Sequence, residues 1–261
     1  MSADSTKRTI VVALGVCLVC SVLVSTAAVA LKPVQDVNKK LDKITNILKA
    51  ADLYKEGISV ESTYENKIKP ELIDLNTGKV TESDNPLLNV NNFDVKTVAS
   101  NPNLSQEIAP EKDIARIKTK PKDMAVYKVM ENGEMQKVIL PVYGKGLWST
   151  MYGFFALDKD LETIDGFTFY EHGETPGLGG EIDNPKWQHI WVGKKAFDEN
   201  GNVAIEVIKG VVDQSKENAK YRVDGLSGAT MTTNGVDKLV KFWLGDDGYG
   251  PFIKQLKKGG A

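Results

Sequence analysis

The residues best suited to chemistry are Asp224-Gly225-Leu226-Ser227-Gly228-Ala229-Thr230-Met231-Thr232-Thr233-Asn234-Gly235. This stretch begins where the polar run at 221–224 stops and ends where an amphipathic pattern starts. Small residues at 225 and 227–229 let another group approach the backbone closely. The start of the helix that follows leaves N–H groups unpaired and carries partial positive charge, which favours a phosphate. A hydroxyl side chain in this place could hydrogen-bond a phosphate or be joined to one. The same composition also makes an ordinary turn and helix cap, with Thr232 and Thr233 as candidate N-caps. These residues alone leave both readings open. No P-loop and no convincing dinucleotide glycine fingerprint competes with them.

A second candidate is Glu174-Thr175-Pro176-Gly177-Leu178-Gly179-Gly180, which follows a strand-like run. Three glycines and a proline in seven residues specify a turn. Such a loop exposes backbone N–H groups, and loops often carry binding residues. Trp148, after Gly144-Lys145-Gly146-Leu147, can pack on the sheet or cover a bound ring. Lys209 closes an expected strand and could bring an ammonium near a phosphate, or could simply be solvated. Cys17 and Cys20 are the only cysteines and both lie near the N-terminus, so the body has no thiolate metal site, disulfide or cysteine nucleophile. With only His172 and His189, a histidine-rich metal site is not expected.

These segments need a scaffold, and the pattern from Met124 onward supplies one. Residues 125–130 and 135–142 are strand-like runs joined by Glu131-Asn132-Gly133-Glu134, and Asn-Gly between such runs marks a hairpin. Further strands are expected at 163–170 and 203–208. A final helix presents Val236, Leu239, Val240, Trp243 and Leu244 on one face. The fold class is therefore α+β, a mostly antiparallel sheet with flanking helices. Residues 56–120 are polar and irregular, with five prolines close by, and read as a connecting region with little core of its own.

Residues 9–31 carry no charge. As a helix they reach roughly 34 Å, enough to cross a hydrocarbon core of about 30 Å. The apolar run is longer than the core of a cleaved signal peptide, which favours a retained single-pass anchor behind a short tail at 1–8. Val34, Val37, Leu41, Ile44, Ile47 and Leu48 continue a helical stripe, either unbroken or after a break at Pro33. Lys32, Lys39, Lys40 and Lys43 follow the span and only Lys7 and Arg8 precede it, so charge counting leaves the sidedness undecided. Cys17 and Cys20 share roughly one helix face, where two small apolar residues are the simplest reading. Net charge is −2, which gives no footprint for nucleic acid.

The run Asp224-Gly225-Leu226-Ser227-Gly228-Ala229-Thr230 resembles the flavinylation motif of covalent FMN-binding domains, whose final threonine is esterified by the FMN phosphate. The likeness extends along the chain to the C subunits of bacterial sodium-translocating NADH:quinone oxidoreductases. It is carried in order by STAAVAL (25–31), KVILPVYGKGLW (137–148), ETPGLGG (174–180), VDGLSGAT (223–230) and FWLGDDGYGPF (242–252). The G subunits of ferredoxin:NAD ion-pumping complexes share the motif and loop, but the 137–148 and 242–252 segments fit the C subunits better. A membrane-anchored scaffold without flavin is the alternative from another class.

This resemblance implies a flavoprotein whose FMN is joined by a phosphodiester to Thr230 through a dedicated flavin transferase. Ser227, Gly228, Ala229, Met231 and Thr232 would surround the attachment, and Glu174, Thr175, Gly177, Leu178, Gly179, Trp148 and Lys209 would complete the flavin site. Asp224 would serve recognition by the transferase. It further implies an FMN-binding domain at 124–261, with 32–123 packed on it, facing the periplasm from the bacterial inner membrane. The role implied is that of an electron carrier within a respiratory complex, passing electrons one at a time among partner subunits, with NADH bound elsewhere.

Overall fold

A computed structural model describes residues 6–259, which divide between Lys43 and Ile44 into two compact units. The first unit is helical. Helix α1 spans Thr6–Ala50, so residues 6–8 of the expected tail are already helical and residues 1–5 lie outside the described residues. Pro33 lies inside α1 without breaking it, which resolves the alternatives at that residue in favour of a continuous helix. Proline removes one N–H from the ladder and the remaining turns persist around it. The segment is apolar, with a mean hydropathy of 2.6 over its best window, and its side chains from Ile10 to Leu31 are exposed. Among the described residues this is the one helix long and apolar enough to cross a membrane.

The second unit takes in the last turns of α1, where Ile44, Ile47, Leu48 and Ala50 are buried in its core. Then follow α2 (Val60–Lys67), β1 (Ile68–Asp74), β2 (Val80–Thr81), α3 (Val95–Ser100), β3 (Ser105–Glu107) and β4 (Thr119–Pro121). A meander comes next: β5 (Asp123–Glu131), β6 (Glu134–Lys145), β7 (Thr150–Asp158) and β8 (Ile164–Glu171). The chain ends with α4 (Pro185–His189), β9 (Glu206–Val207), β10 (Arg222–Val223), α5 (Thr230–Leu244) and α6 (Gly250–Gly259). The principal sheet has the order β2-β1-β5-β6-β7-β8, and every pairing in it is antiparallel. The α+β class and the mostly antiparallel sheet are as expected.

The hairpin at Asn132-Gly133 forms between β5 and β6, with φ of 53° and 85°. Two successive positive φ values are the backbone of a type I′ turn, whose twist matches that of the strands it joins. From Val138 to Gly144 every residue of β6 is buried, so both faces of this strand are covered. Helix α5 packs against it, with Val236, Leu239, Val240, Trp243 and Leu244 all buried. Gly144 permits that approach, because a Cβ there would stand 2.8 Å from Leu239 Cβ. Trp243 Nε1–H donates to the Tyr143 carbonyl at 2.7 Å, and Tyr249 O–H to the Pro141 carbonyl at 2.6 Å. The C-terminal helices are thereby fixed to one strand at two places.

Three expectations need correction. Residues 56–120 hold more than connection: β1 pairs with β5 over seven residues, and Leu72, Ile73, Leu88, Phe93, Val95 and Val98 are buried. The compact unit thus begins at Ile44, and no boundary falls at Met124. The expected strand at 203–208 is ordered as a strand only at Glu206–Val207, while Val203 makes a lone bridge to Phe197 across a tight turn held by Asp198. Strand β7, not expected at all, is the longest-paired neighbour of β6.

Candidate functional site

Three loops meet beside the start of α5: the β6–β7 turn at 145–150, the segment after β8 at 172–180, and the turn at 224–229. In the second, Thr175-Pro176-Gly177-Leu178 closes with Leu178 N–H donating to the Thr175 carbonyl at 3.1 Å. Proline in its second place and Gly177 at φ 75° in its third give type II turn chemistry. In the third, Gly228 has φ 72° and lies under Leu178, whose Cδ2 would be 3.2 Å from a Cβ at that position. Gly225 packs on the Ile208 carbonyl so tightly that a side chain would collide with it.

Glu174 ties the loops together. Its side chain is buried, and its carboxylate accepts from the N–H groups of Leu147 at 3.1 Å, Trp148 at 3.0 Å and Ser149 at 3.3 Å. Thr232 donates its hydroxyl to the same carboxylate at 2.5 Å. Burial opposes the charge, but the Thr232 hydroxyl and the three backbone N–H groups outweigh it and hold the carboxyl below its ordinary value. Next to it, Gly173 N–H donates to Ser149 Oγ at 2.6 Å, and Glu174 N–H donates to His172 Nδ1 at 3.1 Å. A ring nitrogen that accepts is unprotonated, so His172 carries its proton on Nε2 and presents it to Asp183 Oδ2 at 2.6 Å.

Helix α5 begins at Thr230, earlier than the amphipathic pattern suggests, so that the second half of the 224–235 stretch is already helical. Its N-cap is Ala229, and no side chain caps it. Thr230 occupies the first helical position and is exposed, as are Ser227 and Met231. Around this end stand exposed apolar side chains: Leu147 at 45%, Trp148 at 66%, Leu178 at 44% and Met231 at 54%. Lys209 is exposed two residues beyond β9, and its neighbour Gly210 accepts from Gly225 N–H at 2.9 Å.

Several expected site residues take other parts. Glu174 does not reach outward to a ring or a ribityl chain, because both oxygens are engaged inside the protein. Thr232 and Thr233 are not N-caps; they are buried within α5, and Thr233 Oγ1 accepts from Leu226 N–H at 3.1 Å. Trp148 is exposed, not packed on the sheet. Asp224 accepts from Val212 N–H at 2.8 Å, and its carbonyl accepts from Trp187 Nε1–H at 2.9 Å, so it also holds the motif in place. Sequence reasoning passed over Leu147, Ser149 and Trp187, whose contributions are a backbone N–H, a hydroxyl acceptor and an indole N–H; no local signal marks any of them. His172 had a signal, as one of only two histidines.

The residues present fit a flavin phosphate on Thr230. An uncapped helix end offers free N–H donors and partial positive charge to an anion. The hydroxyl at its first turn is open, glycines clear the approach, and apolar side chains flank the place where a ring would lie. No group of three or more metal-ligating side chains occurs among the described residues.

Residues 146–245 match the family model of the FMN-binding domain, a span that includes all three loops apart from Lys145. The chain is 48% identical over 261 residues to the C subunit of the Na(+)-translocating NADH-quinone reductase of Pseudomonas aeruginosa, covering 99% of this chain and 98% of that protein. To the corresponding protein of Vibrio alginolyticus it is 44% identical, with 98% and 97% covered. The crystal structure of Shewanella oneidensis NqrC superposes with a TM-score of 0.76 at 42% identity, covering 85% of this chain and 99% of that one. The crystal structure of the C subunit from Parabacteroides distasonis does so at 0.63 and 30% identity, covering 85% and 96%. Fold, loops and near-complete coverage agree: the chain belongs to the family of C subunits of the Na(+)-translocating NADH-quinone reductases.

Proposed function

We propose that this chain carries FMN covalently, as a phosphodiester to Thr230, and serves as an electron carrier inside the membrane complex of its family. The observation that carries this reading is the exposed Thr230 hydroxyl at the first position of a helix that no side chain caps. When bound, FMN supplies reversible acceptance and donation of electrons, and the protein supplies placement and electrostatics. The N–H groups at the start of α5 balance the charge of the phosphodiester. Leu178, held over Gly228, and Trp148, held by Glu174, limit water on the two sides of the attachment. Lys209 adds positive charge nearby and favours electron-rich states of the bound group. The family match, with its FMN-binding domain, supports both cofactor and complex.

The reading extends to biogenesis and traffic. A flavin transferase attaches the group, with Asp224 part of the surface it recognises, and the body faces the periplasm. Electrons pass singly between partner cofactors, and NADH is oxidised on another subunit.

Native protein, digested with trypsin, yields the peptide Val223–Lys238 that contains Thr230. Its mass should exceed the peptide mass by that of the FMN phosphoryl group. Thr230→Val should fold and insert but show no fluorescent band on a denaturing gel. Ser227→Ala should load more fully than Thr230→Val, since that serine offers a hydrogen bond worth about 1 kcal/mol. An unmodified Thr230 peptide from the assembled complex, or rapid NADH oxidation by the purified chain alone, would overturn the proposal.

A further inference from the structure

Beside the β6–β7 turn, a cavity of about 420 Å³ opens between α3, β4 and the ends of β6 and β7. None of its lining residues comes from 172–180 or 224–233. Four are cations, Lys96, Arg116, Lys118 and Lys145, and none is a carboxylate. Tyr143 and Tyr152 form an aromatic wall, stacked with centroids 5.6 Å apart and planes 18° from parallel. Lys96 Nζ lies 4.6 Å from the centre of the Tyr152 ring. The volume is within the range of small-molecule sites.

The charges here are balanced only in part. Lys96 pairs with Glu171, but Arg116 and Lys118 have no ion pair among the described residues, and Lys145 donates only to the Trp148 carbonyl, at 3.3 Å. The neighbouring Asp94 and Asp113 keep their negative charge close by, but neither forms an ion pair with these cations. Asp94 accepts from Lys96 N–H and the Thr97 hydroxyl, and Asp113 accepts from the N–H groups of Ile117 and Lys118, each at 2.8 Å. The Asp113 clamp also holds an unusual backbone: Arg116 and Lys118 have φ of 56° and 64°, a left-handed conformation unfavourable for residues with a Cβ. A loop built only for stability would place glycine or asparagine there. Two cations without an ion pair, held at strained positions beside an aromatic wall, make an arrangement suited to an anion.

We propose that this cavity binds a phosphate monoester, its oxygens held by Arg116, Lys118 and Lys145 and its attached group lying along the Tyr143–Tyr152 pair. Arginine's planar fork matches phosphate oxygens in a bidentate manner, and lysines add charge. The phosphate comes either from a free aromatic compound or from a lipid headgroup, and the two share this chemistry. The β6–β7 turn that contributes Lys145 and Thr150 to the cavity also contributes Leu147, Trp148 and Ser149 to Glu174. An occupant would therefore touch the turn that Glu174 also holds.

The test uses the full chain in a non-ionic detergent at matched ionic strength, titrated calorimetrically with phenyl phosphate and, separately, with dihexanoyl phosphatidic acid. Saturable one-site binding of either probe is expected, and the tighter of the two identifies the source as soluble or lipid. Arg116→Gln combined with Lys118→Gln should weaken the tighter probe at least tenfold while leaving flavin loading unchanged. Arg116→Gly keeps the experiment decisive should that double variant unfold. It removes one charge and relieves the left-handed strain, so its melting temperature should rise as its affinity falls. Absence of saturable binding by both probes, or Arg116→Gly binding as tightly as the parent chain, would overturn the proposal.

Discussion

Glu174 shows how one buried side chain can tie two loops to a helix. Its neutral isostere, Glu174→Gln, keeps the shape but replaces charge-assisted hydrogen bonds and turns an amide NH₂ toward backbone donors. A loss of about 2 kcal/mol is expected near neutral pH, measured by urea unfolding. The pH dependence has a definite sign. The folded-state pKa lies below the unfolded value of roughly 4.3, so the carboxylate's contribution is complete above that value and is lost as pH falls through the folded pKa. The stability gap between the parent chain and Glu174→Gln should therefore narrow on acidification below about pH 4. Glu174 itself was drawn into the site by the family resemblance of its loop, ETPGLGG. Its true partners were not, since three of them are backbone N–H groups more than twenty residues away in the chain. The role proposed for Thr230 rests instead on a contiguous motif.

Strand β1 was hidden by its own side chains. Ile68-Lys69-Pro70-Glu71-Leu72-Ile73-Asp74 contains a proline and three charges, and reads as a loop. In the sheet Glu71 lies between Lys69, at 2.9 Å, and Lys128 of β5, at 2.6 Å, so its polarity is satisfied by a cross-strand pair invisible to local pattern. Pro70 is tolerated because β2 pairs only with Leu72 and Ile73, which leaves that part of β1 at the sheet's edge. The Asn-Gly hairpin and the apolar face of α5 were evident because both signals are short-range. Between elements, Gly179 is a second point, beside the Glu174–Thr232 hydrogen bond, where the 172–180 loop touches α5. A Cβ there would collide with Thr232 Oγ1 and stand 3.0 Å from Glu174 Oε2. Gly179→Ala should push the loop from the helix, cost about 1–3 kcal/mol of stability by overpacking, and lower flavin loading measured by in-gel fluorescence.

Across the chain, the apolar part of α1 and the body present opposite surfaces. The first exposes its large side chains along its whole length, and the second buries a continuous core. The length of the apolar run was plain from the sequence, but the boundary of the body was not, because the polar stretch after α1 contributes core residues singly and not as a run. Sidedness follows from the proposed maturation outside the cytoplasm. An alkaline phosphatase fused after Ala261 should be active in cells, and a fluorescent protein that matures only in the cytoplasm should be dark there. The reverse pattern would overturn the periplasmic placement.

The bare N-terminus of α5 has a consequence for maturation. With Ala229 in the capping position, the helix lacks the stabilisation of about 1 kcal/mol that a serine or aspartate cap ordinarily contributes. An attached phosphodiester would occupy that place permanently, so the prosthetic group would also complete the secondary structure. Chains awaiting modification would then be the weaker population, unfolding first under heat or protease and being cleared before assembly. The loaded chain should melt a few degrees above Thr230→Val by calorimetry, in keeping with about 1 kcal/mol of dipole and hydrogen-bond stabilisation. That difference should shrink as salt screens the phosphate from the helix.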